Sequence, residues 1–183
     1  MRITKDIPYG PNGMHLDLYA PDQDGFDTLI WFHGGGFEAG SRRDAEPLAE
    51  SVTALGLGFA SVEYRMFPSA RFPDFLLDAA WSVAFLQKHG QDCGCGGRFV
   101  ISGQSAGAYI TMMLALNGAL LHNAGVDETS ILAYVSESSQ QTTHYNMLRQ
   151  RGIDSRAERI DEEAPLYYVG QRPLTKPLLL IYN

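Results

Sequence analysis

The sequence has few cysteines, little positive charge and no long hydrophobic run. Cys93 and Cys95 lie one residue apart and provide neither a disulfide framework nor a four-ligand zinc site. The 14 lysines and arginines are outnumbered by 21 aspartates and glutamates, which argues against nucleic-acid or anionic-membrane partners. No stretch approaches the ~18 apolar residues of a membrane span, and no signal-peptide core follows Met1. These absences predict a reduced, cytoplasmic protein.

The composition is that of an ordinary globular protein, and the order of its elements is that of an α/β domain. Hydrophobic residues make up 45 % of the 183 residues, enough for one domain with a buried core. Apolar runs predict strands at 14–19, 28–32, 58–64, 99–101, 131–135 and 178–182. Helical spacing predicts helices at 44–55, 74–89, 106–116 and 146–151, and residues 93–97 are expected to form a surface loop. The later strands are continuously apolar, which is typical of a mostly parallel sheet with helices on both faces.

Residues 103–107 match the pattern G-x-S-x-G between a predicted buried strand and an apolar helix. On such a sharp turn Ser105 has a strained backbone, and glycine at 103 and 107 removes side chains that would collide. The turn also places Ser105 at a helix N-terminus, where free N–H groups stabilise negative charge. The pattern indicates a nucleophilic serine, with a turn that has no chemistry as the alternative.

Three consecutive glycines, Gly34, Gly35 and Gly36, follow His33 at the end of a predicted buried strand. Their unshielded N–H groups can point at an oxyanion, and we predict Gly35, Gly36 and Ala106 as the donors of an oxyanion hole. Taken alone, the glycines are better explained by a flexible turn. We expect His33 to brace this loop through hydrogen bonds and not to act as a base.

Together the two motifs resemble those of the α/β-hydrolase superfamily, in particular the HGGG carboxylesterases of the hormone-sensitive-lipase-like branch. Further similarity to that family lies in residues 63–66, 71–73, 138–144 and 161–167. The resemblance implies one α/β-hydrolase domain over 1–183, with 138–159 as a candidate lid or cap. It implies that Ser105 attacks a small-molecule ester and forms an acyl-enzyme, without a cofactor or metal ion.

The family orders its catalytic residues as serine, aspartate and then histidine. Residues 177–182 resemble the strand that precedes the aspartate, so the resemblance predicts a chain truncated before acid and base, lacking the last strand and helix. A serine hydroxyl is a weak nucleophile until a base removes its proton. We therefore expect the 183-residue chain alone to be nearly inactive.

The histidines and aspartates present in the sequence are weaker candidates for the base and the acid than residues that would follow the last predicted strand. His144 follows Ser105 in an irregular loop and could approach it, but we expect it beside the substrate pocket, with Phe37 and Gln104. The acidic alternatives are expected in structural positions: Asp154 and Asp161 at the starts of surface helices, and Asp78 on a helix surface or bracing a loop.

Three functions remain open at this point. The first is a carboxylesterase for short-acyl esters, with acetylated sugars as candidate substrates. The second is a hydrolase-like binding protein without catalysis, because acid and base are not found. The third is an arylformamidase or another amidase. The apolar strand 178–182 further predicts a homodimer through an exposed sheet edge.

Overall fold

The sheet of the computed structural model, which describes residues 1–182, has seven strands and is mostly parallel. The strands are β1 (Arg2–Tyr9), β2 (Met14–Ala20), β3 (Phe26–Phe32), β4 (Gly58–Val62), β5 (Cys95–Gln104), β6 (Ile131–Glu137) and β7 (Leu178–Ile181). Their order across the sheet is β1-β2-β4-β3-β5-β6-β7. The β1–β2 and β2–β4 pairs are antiparallel, and the other four pairs are parallel.

Five α-helices accompany the sheet within the described part of the chain. They are α1 (Glu46–Ala54), α2 (Asp74–His89), α3 (Ala106–Leu116), α4 (Gly118–Asn123) and α5 (Tyr145–Gln150). The predicted bounds of α2 and α3 are confirmed, whereas β1 and α4 were not predicted. The loop expected at 93–97 is wrong from Cys95 onward, because β5 begins there. Between Met1 and Tyr182, no helix combines the length and the apolar character that crossing a membrane requires.

Helices cover both faces of the sheet, as the alternation of side chains along β3 shows. Ile30 and Phe32 belong to the larger core, which also contains the buried residues of α2 and α3. Trp31 points to the opposite face, where it packs in a smaller core with Phe59 and with Ala49 of α1. The expectation of a parallel sheet sandwiched between helices is therefore confirmed.

The pairing of β3 with β5 brings the two sequence motifs together. These strands are parallel neighbours, and Phe32 is paired with Gly103 at their carboxyl ends. The loop that follows each strand therefore leaves the sheet at the same edge, where ligands bind in open α/β folds. His33 and Ser105, which begin these two loops, are 72 residues apart in the sequence.

Candidate active site

Ser105 occupies the sharp turn between β5 and α3. Its backbone lies at φ +54° and ψ −111°, a conformation that residues other than glycine rarely adopt. The Ser105 N–H donates to the carbonyl oxygen of Glu137 at 2.8 Å, which fixes the turn to the end of β6. The side-chain hydroxyl, on a half-buried residue, forms no hydrogen bond with any residue in 1–182.

The two glycines of the motif lie where no side chain fits. A Cβ at Gly103 would overlap the backbone of Gly107 and lie 2.9 Å from the amide nitrogen of Ala108. A Cβ at Gly107 would overlap the carbonyl of Phe32 at the end of β3. These are the close approaches that the G-x-S-x-G pattern predicts around a strained serine.

The glycine loop, residues 34–36, lies beside Ser105. A Cβ at Gly34 would lie 3.3 Å from the Cβ of Ser105. Among residues 1–182, the N–H groups of Gly35 and Gly36 have no hydrogen-bond acceptor. Ala106 is the first residue of α3, where N–H groups have no acceptor within the helix. The predicted oxyanion donors are therefore free to bind a ligand, and this role stays a prediction.

His33 braces the glycine loop, as predicted. Its ring is buried and stacks on Tyr64 with ring centroids 4.3 Å apart. Nδ1 lies 2.7 Å from the carbonyl oxygen of Gly34, and Nε2 lies 3.1 Å from a carboxylate oxygen of Glu63. These two contacts fix the ring between the glycine loop and the end of β4. The Tyr64 hydroxyl donates to the His33 carbonyl at 2.7 Å and closes the brace.

Glu63, which binds His33, also belongs to a partly buried network of charged residues around Arg42. Arg42 donates to Asp17 at 2.9 Å and pairs with Glu63 at 3.4 Å and with Asp6. Burial acts to raise the pKa of Glu63, but the hydrogen bond to His33 and the positive charge of Arg42 lower it below its ordinary value. Sequence reasoning missed this role of Glu63, because its partners lie on distant segments.

Helix α5, which lies between β6 and β7 in the sequence, contacts the glycine loop and the residues that follow it. Arg149 of α5 forms an ion pair with Glu38, which directly follows the loop and Phe37. The hydroxyl of Tyr145, at the start of α5, occupies the space where a side chain at Gly36 would lie. No local pattern in the sequence indicates either contact, since each joins segments more than 100 residues apart.

Phe37 and His144 form part of one aromatic cluster. The Phe37 ring is 1 % exposed, stacks on Phe75 at 4.1 Å and meets the ring of His144 at 4.7 Å. These contacts are those of a residue that packs in the core. Gln104, the third predicted pocket residue, is exposed at the end of β5, with its side-chain oxygen against Gly34.

His144 caps α5 and does not bind Ser105. Its Nδ1 accepts a hydrogen bond from the N–H of Asn146 at 3.2 Å. Burial lowers the pKa of His144 to about 4, against a smaller opposing effect of the nearby Glu38 charge. A neutral ring is what this cap requires, because a doubly protonated ring could not accept the bond.

The three aspartates considered as catalytic acids bind other side chains of the protein. Asp78 is buried and binds Arg65 through both carboxylate oxygens at 2.8 and 2.9 Å, so the loop-bracing expectation is confirmed and the surface position is wrong. Asp161 accepts from Thr143 at 2.7 Å and Asp154 from Arg156 at 2.9 Å. Both aspartates lie in turns, so their expected position at helix starts is wrong.

Comparison with known protein families identifies the family to which the chain belongs. Residues 16–150, about three quarters of the chain, match the BD-FAE family. The chain belongs to the BD-FAE family. This match includes both motif loops, the brace residue Glu63 and helix α5, and it ends close to the point where α5 ends.

Curated relatives of this BD-FAE-family chain are esterases and lipases. It is 33 % identical over 119 residues to "Probable carboxylic ester hydrolase LipM" of Mycobacterium tuberculosis, covering 61 % of this chain and 28 % of LipM. It is 34 % identical over 93 residues to human hormone-sensitive lipase, covering 50 % of this chain and 9 % of the lipase. The predicted resemblance to the hormone-sensitive-lipase-like branch is confirmed. The chain spans well under half the length of these relatives.

Solved structures of esterases share the fold. A structure of bacterial heroin esterase superposes with a TM-score of 0.71 at 22 % sequence identity, covering 98 % of this chain and 64 % of the esterase chain. At this level of identity the similarity concerns the fold alone. The α/β-hydrolase fold expected from the two motifs is thereby confirmed.

Proposed function

We propose that the chain carries the nucleophile and oxyanion hole of a serine carboxylesterase for small, short-acyl esters, acetylated sugars among them. One observation carries the proposal. The unpaired hydroxyl of Ser105 lies on a strained turn beside a loop whose Gly35 and Gly36 N–H groups are also unpaired within residues 1–182. An attacking oxygen and donors for the resulting oxyanion are the two parts that acyl transfer needs. The name of LipM as a carboxylic ester hydrolase supports the same reaction.

In the proposed reaction, the Ser105 oxygen attacks the ester carbonyl carbon while a base takes the hydroxyl proton. The carbonyl oxygen becomes an oxyanion that accepts hydrogen bonds from Gly35, Gly36 and Ala106. Collapse of this intermediate breaks the bond to the alcohol, which leaves with the proton from the base, and Ser105 is acylated. Water then attacks the acyl-enzyme by the same steps, and the carboxylic acid is released.

We propose that the base is none of the five histidines of this sequence. His33 is engaged with Gly34 and Glu63, and His144 caps α5. No histidine in residues 1–182 forms a hydrogen bond with the Ser105 hydroxyl. Because the chain spans 28 % of LipM, activity is best assayed with the full-length gene product.

The proposed preference for a small acyl group is argued from the chain segment that contains α5 and contacts the glycine loop. We propose that residues 138–159 act as a small cap over the site. The ion pair between Arg149 and Glu38 holds α5 to the loop, and Tyr145 lies over Gly36. A cap held this close to the carbonyl-binding position limits the space for a long acyl chain.

The experiment compares Ser105→Ala with Ser51→Ala, an exposed serine on α1, in the full-length product. We expect p-nitrophenyl acetate to be hydrolysed faster than the decanoate, and Ser105→Ala to lower kcat by about 10⁴-fold or more. Ser51→Ala should retain the wild-type rate. A fluorophosphonate should label the wild type and Ser51→Ala but not Ser105→Ala.

The same measurements separate the alternatives. Equal rates for Ser105→Ala and the wild type would remove Ser105 from the reaction. A full-length product that neither hydrolyses esters nor takes up the fluorophosphonate would instead indicate a binding protein. Faster hydrolysis of p-nitroacetanilide than of the acetate ester would indicate an amidase, because the oxyanion hole serves both bonds.

A further inference from the structure

The hydroxyl of Tyr145 lies next to Gly36, one of the predicted oxyanion donors. A Cβ at Gly36 would overlap this hydroxyl and would lie 3.1 Å from the Cζ atom of the ring. The Tyr145 oxygen is therefore within about 4.5 Å of the Gly36 amide nitrogen, since Cβ and N are both bonded to the same Cα. A phenolic O–H and a backbone N–H, both hydrogen-bond donors, lie side by side at this point.

Three contacts hold Tyr145 in this position. His144 precedes it as the cap of α5, and the two rings lie 4.4 Å apart. Arg149, four residues later and on the same face of α5, forms its ion pair with Glu38. One face of α5 thus contacts Gly36 of the glycine loop and pairs with Glu38, which lies two residues after it. This arrangement fixes the phenol relative to the loop.

The Tyr145 hydroxyl has no acceptor of its own. No residue in 1–182 forms a hydrogen bond with it, and the side chain is 39 % exposed. The hydroxyls of Tyr64 and Tyr168, by contrast, donate to carbonyl oxygens. The phenol of Tyr145 is instead left open to a ligand bound at the loop.

We propose that Tyr145 is a catalytic residue whose hydroxyl donates a fourth hydrogen bond to the oxyanion formed from the ester carbonyl. The inference rests on the proposed esterase function and deepens it. As Ser105 attacks, the carbonyl π bond becomes a lone pair on oxygen, and that oxygen accepts from Gly36 N–H and Tyr145 O–H together. The phenol keeps its proton throughout, and the bond is released when the intermediate collapses.

The experiment removes the hydroxyl alone. Tyr145→Phe is compared with Tyr167→Phe, an exposed tyrosine outside the site, in the full-length gene product. We expect Tyr145→Phe to lower kcat/KM for p-nitrophenyl acetate by about 10- to 100-fold, mainly through kcat. A trifluoromethyl ketone forms a tetrahedral hemiketal with serine, and its affinity should fall by a similar factor. Tyr167→Phe should change neither quantity.

The combined results for Tyr145→Phe and Ser105→Ala support or overturn the proposed role of the Tyr145 hydroxyl. Wild-type kcat/KM in Tyr145→Phe, together with an inactive Ser105→Ala, overturns the inference and leaves the proposed function standing. A lowered rate with unchanged ketone affinity also overturns it, because the hydroxyl then acts on structure and not on the oxyanion. Activity that does not depend on Ser105 overturns both. A parallel loss of rate and ketone affinity in Tyr145→Phe supports it.

Discussion

Gly107 of helix α3 lies directly against the carbonyl of Phe32, the last residue of β3. A Cβ at position 107 would overlap that carbonyl and would lie 2.7 Å from the carbonyl oxygen of His33. The absence of a side chain at this position therefore sets the distance between the serine turn and the glycine loop. The two halves of the candidate site are brought together by backbone packing as well as by strand pairing.

Gly107→Ala should separate these two loops. We expect a loss of about 1–3 kcal/mol in the free energy of unfolding, typical of overpacking, and a loss of esterase activity larger than the loss of folded protein. The control is Gly97→Ala, where the backbone is strained at φ +83° but the space is open. That variant should lose stability and keep its activity. Equal activity per folded molecule in both variants would contradict this role of Gly107.

Glu63→Gln should loosen the glycine loop, because it removes the negative charge that His33 and Arg42 share. We expect a loss of about 1–3 kcal/mol in unfolding free energy. The pKa of Glu63 is lowered in the folded state, so its contribution is present above the pKa of the unfolded chain and is lost as the pH falls through the folded value.

Urea unfolding at neutral pH, and again at an acid pH below the lowered pKa of Glu63, measures this contribution. Wild type and Glu63→Gln should differ at neutral pH and converge in acid. The matched control is Glu128→Gln, which breaks an ion pair with Arg172 at 3.1 Å away from the site. It should leave esterase kinetics unchanged, whereas Glu63→Gln should reduce kcat/KM. Identical kinetics for the two variants would show that Glu63 does not support the glycine loop during the reaction.

His144 predicts a pH dependence of stability between pH 6.5 and about 4. Its folded pKa of about 4 lies below the ordinary value of 6.5, so the unfolded chain binds the proton more readily in this window. Stability should therefore be complete above pH 6.5 and fall as the pH drops, by about 3 kcal/mol in all. His144→Asn keeps a good helix cap and removes the titration.

The slope of the unfolding free energy against pH tests the predicted titration of His144. The slope can be compared between variants even when their overall stabilities differ. The slope between pH 6.5 and 4 should flatten in His144→Asn and persist in His122→Asn, which changes an exposed histidine of α4. An unchanged slope in His144→Asn would mean that folding does not change the pKa of His144.

Strand β7 predicts self-association of the 183-residue chain. It is the edge strand of the described sheet, and Leu179, Leu180 and Ile181 are all exposed. Exposed apolar edges pair with other chains, so we propose a homodimer through residues 178–182. Light scattering should show a dimer or larger species whose fraction falls in Leu180→Lys.

Ile3→Lys, an exposed residue on the opposite edge strand β1, is the control. That edge already carries charged side chains and an irregular register, which discourage pairing. Ile3→Lys should associate as the wild type does. A monomeric wild type at high concentration would refute the dimer.

The sequence predicted those elements whose local signals agree with their environment. The bounds of α2 follow from its apolar spacing and the glycine at position 90, and those of α3 from the serine turn before it. Strand β1 escaped prediction because it lies at an edge and is mostly exposed, so it has no alternating apolar pattern. Both motif loops were predictable because G-x-S-x-G and the glycine triplet depend on steric rules that are local.

The contacts around those loops were not predictable in the same way. Glu63, Tyr145 and Arg149 contact the glycine loop or the residues beside it from segments 30 or more residues away. Nothing in their neighbouring residues indicates these contacts. Asp78 was placed too near the surface because its partner Arg65 lies outside its own helix. Such pairs depend on topology, which one sequence specifies only through the complete fold.

The strained backbone of Ser105 lowers the stability of the chain, and the proposed reaction explains why a serine is kept there. A residue with a Cβ held at φ +54° and ψ −111° loses about 1–3 kcal/mol relative to glycine, which adopts this region freely. One substitution at position 105 would therefore give a more stable chain without a nucleophile. Selection for stability and selection for the proposed chemistry oppose each other at this residue, and a directed-evolution screen for thermal resistance alone would tend to discard it.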